Sequence, residues 1–187
     1  MKITDVFDVE RDVESVWALF EDVPGLAHCL PGAELTEDHG DGRYSGRVDA
    51  KLGPITAMFE GEATVGSNAS TRSGTVVGKG VDRRGGSRAQ LKVAYSLEST
   101  PSGTRVTVDA DVMLSGAAAQ FGRVGLLKEL TGRIISEFVH CLELKLAAPT
   151  PEAAAAVQAP EVKGLSLLLA SMLAPVTRLL RRLFSKN

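Results

Sequence analysis

Alternation of apolar and polar positions governs most of the first 115 residues, and a helical period governs the remainder. Positions 2–10 set Ile3, Asp5, Phe7 and Val9 against Lys2, Thr4, Asp8 and Glu10, the period of two expected of a half-buried strand. Asp12 is then placed to cap a helix over 13–21, because Val13, Val16, Trp17 and Phe20 fall three and four residues apart. A second short helix over 24–30 opens on Pro24 and closes at Pro31-Gly32. From 33 to 115 the chain reads as consecutive strands separated by Asp41-Gly42, Gly53-Pro54, Ser67-Asn68, Arg84-Gly85-Gly86 and Pro101-Ser102-Gly103. Such short connections favour an antiparallel meander. Its apolar face carries Ile55, Ala57, Phe59, Gly61, Ala63 and Val65, then Ala89, Leu91, Val93, Tyr95 and Leu97, then Val106, Val108, Ala110, Val112 and Leu114. Glu60, Glu62, Lys92, Asp109 and Asp111 occupy the other face.

The period changes at 117–148, where Val124, Leu127, Thr131, Ile134, Phe138 and Cys141 form one stripe of a single long helix. Pro149, Pro151 and Pro160 bracket an alanine-rich spacer with too little apolar variety to build a core. The last segment, 164–187, returns to helical spacing through Leu165, Leu168, Leu169, Met172, Leu173, Val176, Leu179, Leu180, Leu183 and Phe184, with Arg178, Arg181, Arg182 and Lys186 near its end. Its uncharged run is shorter than the roughly 20 residues a membrane span requires. Pro175 kinks it. We expect an amphipathic helix that lies in a bilayer surface, its basic residues at the level of the headgroups; packing onto its own domain or onto a protein partner is the alternative.

Taken together, the pattern predicts an α+β domain over 1–148, a linker over 149–163 and a membrane-interacting tail over 164–187. The last long helix of the domain must cover the apolar face of a curved antiparallel sheet. Few large side chains occupy that face, since aromatics are 5% of the chain and Ala57, Gly61, Ala63, Ala89 and Ala110 point inward. Small residues under a covering helix suit a ligand cavity, and suit equally a helix lying close against the sheet.

Charge divides the chain. The formal net charge is −2, yet the segment from Glu161 onward carries five basic residues and one acidic, leaving −6 on everything before it. An acidic body argues against nucleic acid, which needs a basic folded surface, and fits a body held near an anionic bilayer by a basic end. The first residues show no basic segment followed by an apolar stretch, so a cytoplasmic location is expected. Two cysteines, Cys29 and Cys141, make no disulfide framework and are expected as buried thiols.

The order of elements, with Val16-Trp17 in the first helix, resembles the START-like helix-grip proteins of the SRPBCC superfamily. Within it, CLPGAE at 29–34, KLGPI at 51–55, FEG at 59–61 and GKGVDRRGG at 78–86 resemble the carbon monoxide dehydrogenase CoxG family. The likeness covers about 1–148. It implies a non-enzymatic accessory protein of an aerobic molybdenum-containing CO dehydrogenase or a related hydroxylase, linked with its attachment to the cytoplasmic face of the membrane. The superfamily binds hydrophobic molecules under its long helix. With the tail, this implies no covalent cofactor but a bound quinone, menaquinone or ubiquinone, moved between bilayer and enzyme. A pure membrane tether without cargo and a START-like cyclase or hydratase are the competing readings.

For the cavity, the candidate residues are Trp17, Phe20, Leu26, Leu30, Tyr44, Phe59, Tyr95, Phe121 and Leu127. Tyr44 and Tyr95 carry most information, because a buried phenol needs a partner and a quinone carbonyl would supply one. Leu168, Leu169, Met172, Leu173, Val176, Arg178, Leu180, Arg181, Arg182 and Phe184 are the candidates for membrane contact. His28-Cys29 and His140-Cys141 would converge on zinc only if the second and last helices met, and burial of the cysteines is the better reading. No carboxylate is expected inside the cavity. Arg83 and Arg84 fall in a hairpin turn, as an ordinary solvated turn or a docking patch.

Overall fold

The computed structural model describes residues 1–52, 55–121 and 124–159. The tail at 164–187 with all its candidate membrane residues, and the Gly53-Pro54 turn, lie outside the described residues. Seven strands form one antiparallel sheet: β1 (Lys2–Val9), β2 (Ala33–Gly40), β3 (Arg43–Leu52), β4 (Ile55–Asn68), β5 (Ser73–Asp82), β6 (Ser87–Thr100) and β7 (Gly103–Ser115). They lie in the order β1-β7-β6-β5-β4-β3-β2, so β2 to β7 are the expected meander and β1 closes onto its last strand. The β2–β3 turn has Asp41 and Gly42 both at positive φ, 52° and 71°, the geometry that Asp-Gly favours in a two-residue hairpin. Ser67 and Asn68, expected as a turn, instead end β4, and the chain reverses at 69–72. Asn68 makes that reversal possible, its side chain accepting the Ser70 N–H and hydroxyl.

Two helices connect β1 to β2. In α1 (Val13–Glu21) the Asp12 carboxylate accepts the Ser15 N–H at 2.9 Å and the Ser15 hydroxyl at 2.7 Å, and those bonds hold its pKa below the ordinary carboxylate value. Its buried stripe is Val13, Val16, Trp17 and Phe20. The next helix, α2 (Val23–Ala27), is capped by Asp22 through the Gly25 N–H. An ion pair from Arg72 to Glu14 ties the β4–β5 turn to α1.

The long terminal helix begins later than its sequence period predicts. A 3-10 turn, Gly116–Phe121, precedes α3 (Val124–Ala147). Gly116 has φ 74°, which a helix interior does not allow, so the chain must turn before the helix can start. The C-terminal half of α3 packs on the first elements: Phe138 sits edge-on to Phe7 and Phe20, with ring centroids 6.2 and 6.4 Å apart. Among the described residues, no helix is long and apolar enough to cross a membrane.

Cys29 and Cys141 are joined as a disulfide rather than standing as separate thiols. Both are buried, as expected, but the end of α2 lies beside α3 with the two Cα atoms 5.4 Å apart. A link between residues 112 positions apart removes much freedom from the unfolded chain, about 4 to 5 kcal/mol in the chain-entropy account. The two helices do meet, as a zinc site would have required, but the sulfurs are bonded to each other. His28 and His140 remain exposed.

The spacer is also partly folded. After Ala147 a short helix α4 (Pro151–Ala156), capped by Thr150, turns back on the domain. Val157 and Ala159 pack against the core, and the Ala159 N–H donates to the His28 carbonyl at 2.9 Å. Lys145, 5% exposed, donates from Nζ to the Ala154 carbonyl at 2.9 Å. Any free tether therefore starts after Ala159, not at Pro149.

Candidate ligand-binding interior

Pairing across the sheet fixes which side chains share its inner face, because directly opposed residues point the same way. One end of that face is tightly filled. Val9, Val16, Trp17, Phe20, Tyr95, Leu97, Val106 and Leu142 join the disulfide in one buried cluster, and the Phe20 and Tyr95 rings stand 5.1 Å apart. The other end holds a smaller buried cluster of Ala57, Phe59 and Ala118, where the Ala118 N–H donates to the buried Ser87 hydroxyl.

Between the two clusters the inner face stays half-buried. Two complete rows cross it: Tyr44, Ala63, Gly78, Leu91 and Val112, and then Val65, Val76, Val93, Ala110 and Ile3. Every one of these ten residues is intermediate in exposure. Small and β-branched residues thus leave an apolar trough in the middle of the sheet, closed at both ends by packed side chains. A surface of this shape and chemistry would suit a flat or chain-like apolar molecule.

Polar atoms in this interior are few. Among the described residues, the Trp17 indole N–H and the Tyr95 hydroxyl are buried without a hydrogen-bond partner, and burial, then the nearby Glu21 charge, pushes the Tyr95 pKa up. An unpaired buried donor costs about 1 to 3 kcal/mol, so a ligand acceptor reaching either would be favoured. Both are covered by surrounding protein, and such a ligand would have to part the Phe20–Tyr95 contact. Tyr44 differs: it lies in the trough itself, its pKa raised first by burial and then by Asp38 and Asp22.

The expected site residues thus separate. Trp17, Phe20 and Tyr95 belong to the packed end, with Leu26 lying against it. Phe59 belongs to the opposite cluster. Of the seven whose side chains are described, Tyr44 alone lines one of the open rows; the Phe121 and Leu127 side chains lie outside the described ones. Leu30 does not belong to the interior, being 42% exposed. It follows the inward-held Cys29 on a helical turn, and one step of about 100° carries it to solvent.

Two inner carboxylates were not expected, Asp82, buried at the end of β5, and Asp5. Asp5 pairs with Val108 and so shares the inner face with Ile3 and Phe7, which corrects the expectation of a cavity without a carboxylate. It is half-buried, and Oδ1 accepts the Val6 N–H at 2.8 Å. Its place was visible in the alternation of β1, but an acid in an apolar series reads more readily as an edge-strand exception. Among the described residues no group of His, Cys, Asp and Glu is arranged to hold a metal.

A curved seven-stranded antiparallel sheet with two short helices after β1 and a long helix after β7 is the arrangement of START-like, SRPBCC proteins. The chain belongs to the carbon monoxide dehydrogenase CoxG family, whose profile matches residues 6–147. Among solved structures it is similar to a conserved protein from Geobacillus kaustophilus (17% identity, TM-score 0.66, covering 79% of this chain and 95% of that one). It is similar also to protein Ms6760 from Mycobacterium smegmatis (16%, 0.55, 80% and 92%) and to the Zhui aromatase/cyclase from Streptomyces sp. R1128 (13%, 0.53, 79% and 96%). At these identities the likeness is one of fold. No curated protein matches the chain.

Proposed function

We propose that this protein is a non-catalytic accessory factor of a molybdenum CO dehydrogenase or a related hydroxylase, and that it carries a lipophilic electron acceptor, a respiratory quinone, in its interior. Membership of the CoxG family supports the association with the dehydrogenase. The observation that carries the ligand reading is the pair of half-buried apolar rows between two filled clusters. A quinone ring would lie on Leu91, Val93 and Ala63, with a carbonyl accepting from the Tyr44 hydroxyl. An enzyme that must pass electrons to a carrier almost insoluble in water needs such an apolar shuttle. The amphipathic tail would bring the trough to the cytoplasmic face of the membrane and release it again, since a short interfacial helix binds reversibly.

The test is extraction of the full chain purified from membranes, followed by lipid mass spectrometry and by uptake from quinone-loaded liposomes. Stoichiometric menaquinone or ubiquinone is expected. Absence of quinone from the purified protein, together with no uptake, would overturn the carrier reading and leave a tether.

Asp5 favours a second reading, that of a cyclase or hydratase, because it sets a carboxylate on the same inner face as the trough. Catalytic work would make the Asp5→Asn variant inactive toward a polyketide-like substrate while leaving ligand affinity in place.

A further inference from the structure

The outer face of the sheet carries a charge pattern opposite to that of the body. Three rows on this face run through Arg47, Glu60, Val81 and Arg88; through Ser45, Glu62, Lys79, Gln90 and Met113; and through Arg43, Thr64, Val77, Lys92 and Asp111. The β5–β6 turn adds Arg83 and Arg84, both exposed, while Asp82 turns inward and accepts the Arg84 N–H. This region holds seven basic side chains and three acidic ones, a charge of +4 in a body of −6. Lys79 pairs with Glu62 at 3.3 Å and Arg83 with Glu60 at 4.0 Å, and Arg47 pairs with Glu34 of β2. Arg43, Arg84, Arg88 and Lys92 have no ion-pair partner among the described residues.

Two further features define what would fit here. Val77, Val81 and Met113 are 52%, 43% and 57% exposed on the same face, and a crevice of about 480 Å³ opens between Glu60, Glu62, Lys79, Arg83 and Arg88. Five strands about 4.8 Å apart make the patch roughly 20 Å wide, the scale of the centre of a protein–protein interface. A uniformly anionic lipid surface would meet Glu60 and Glu62 with like charge and leave the valines without contacts. A protein surface of acidic groups around an apolar centre answers all of these features, and five arginines offer the forked donors that bind carboxylates two at a time.

We infer that this outer face of β3–β7 docks an acidic surface of the partner dehydrogenase. The inference rests on the accessory reading above and assigns that association to a defined face. The trough, on the opposite side of the same sheet, then stays accessible during docking.

The experiment measures binding of purified molybdenum CO dehydrogenase complex from the same organism to the immobilised full-length chain, by biolayer interferometry at 50 and 250 mM NaCl. The R83E/R84E/R88E variant should weaken Kd by about 30-fold or more at low salt and flatten the salt dependence. R83K/R84K/R88K, which keeps the charge but loses the forked donors, should weaken Kd by about three- to tenfold, whereas R133E, which changes an exposed arginine of α3 elsewhere on the body, should stay within about threefold of the wild type. If the triple-glutamate variant binds like the wild type, the docking face is wrong while the accessory reading stands. If that variant instead loses binding to phosphatidylglycerol vesicles and keeps the dehydrogenase, the face is a membrane surface and the inference fails. A wild-type chain that does not bind the dehydrogenase at all overturns both.

Discussion

The packed end of the inner face and its open middle are built from the same strands, yet they solve different problems. At the packed end Trp17, Phe20, Tyr95 and Phe138 bring large aromatic rings from α1, β6 and α3 together around a disulfide. In the middle, β3 to β7 present Ala63, Gly78, Ala110 and several valines, and among the described residues no buried aromatic cluster covers them. Burial concentrates where several elements contribute large side chains; on the proposed reading, capacity for a ligand concentrates where the strands contribute small ones. A domain can thus keep a soft, fillable interior without losing its fold.

The sharpest way to break this contrast is a matched truncation. Phe20→Ala at the packed end should cost about 3 to 5 kcal/mol of unfolding free energy, whereas Leu91→Ala in the middle should cost under about 2 kcal/mol, its side chain being half-exposed already. Equal losses in urea unfolding would show that the middle is ordinary core. A finer comparison fills the trough. Ala63→Leu should lower stability by less than about 1 kcal/mol and reduce quinone uptake from liposomes at least about tenfold, while the same uptake assay on an exposed change such as Thr64→Leu stays unaffected.

The smallest effect is a pH dependence located at the packed end. Hydrogen bonds from Ser15 lower the Asp12 pKa from 3.8, so the folded state holds the charged form more strongly than the unfolded chain does. That contribution is complete above the unfolded value and is lost as pH falls through the folded one. Urea midpoints measured at pH 6 and pH 3 should therefore separate more for the wild type than for Asp12→Asn. A variant with the same separation would show that the cap does not set the acid sensitivity of α1.

Much of this architecture was legible along the chain. The strand periods, the Asp12 cap, the Asp41-Gly42 turn and the Arg83-Arg84 hairpin all express local rules of spacing and backbone preference, which neighbouring residues carry whatever the rest of the molecule does. The ligand site was less legible. Trp17, Phe20 and Tyr95 have the composition of a binding pocket but serve as core, because a large apolar residue facing inward looks the same in sequence whether a ligand or a neighbour covers it. Leu30 was misplaced by one helical step. Asp5 had its place on the apolar side of β1, but a lone acid in an apolar series reads as an exception until its pairing with Val108 puts it on the inner face.

By itself, then, the order of residues determined the α+β class, the meander and the segregation of apolar from charged positions, since each depends on periods of two to four residues, and its short motifs carried the family likeness. The tertiary structure alone decided the Cys29–Cys141 bond, the folding back of 151–159 onto α3, the half-buried middle rows and the gathering of seven basic side chains on one outer face. Those features require elements distant in the chain to meet. Their energies come from contacts that no local pattern contains.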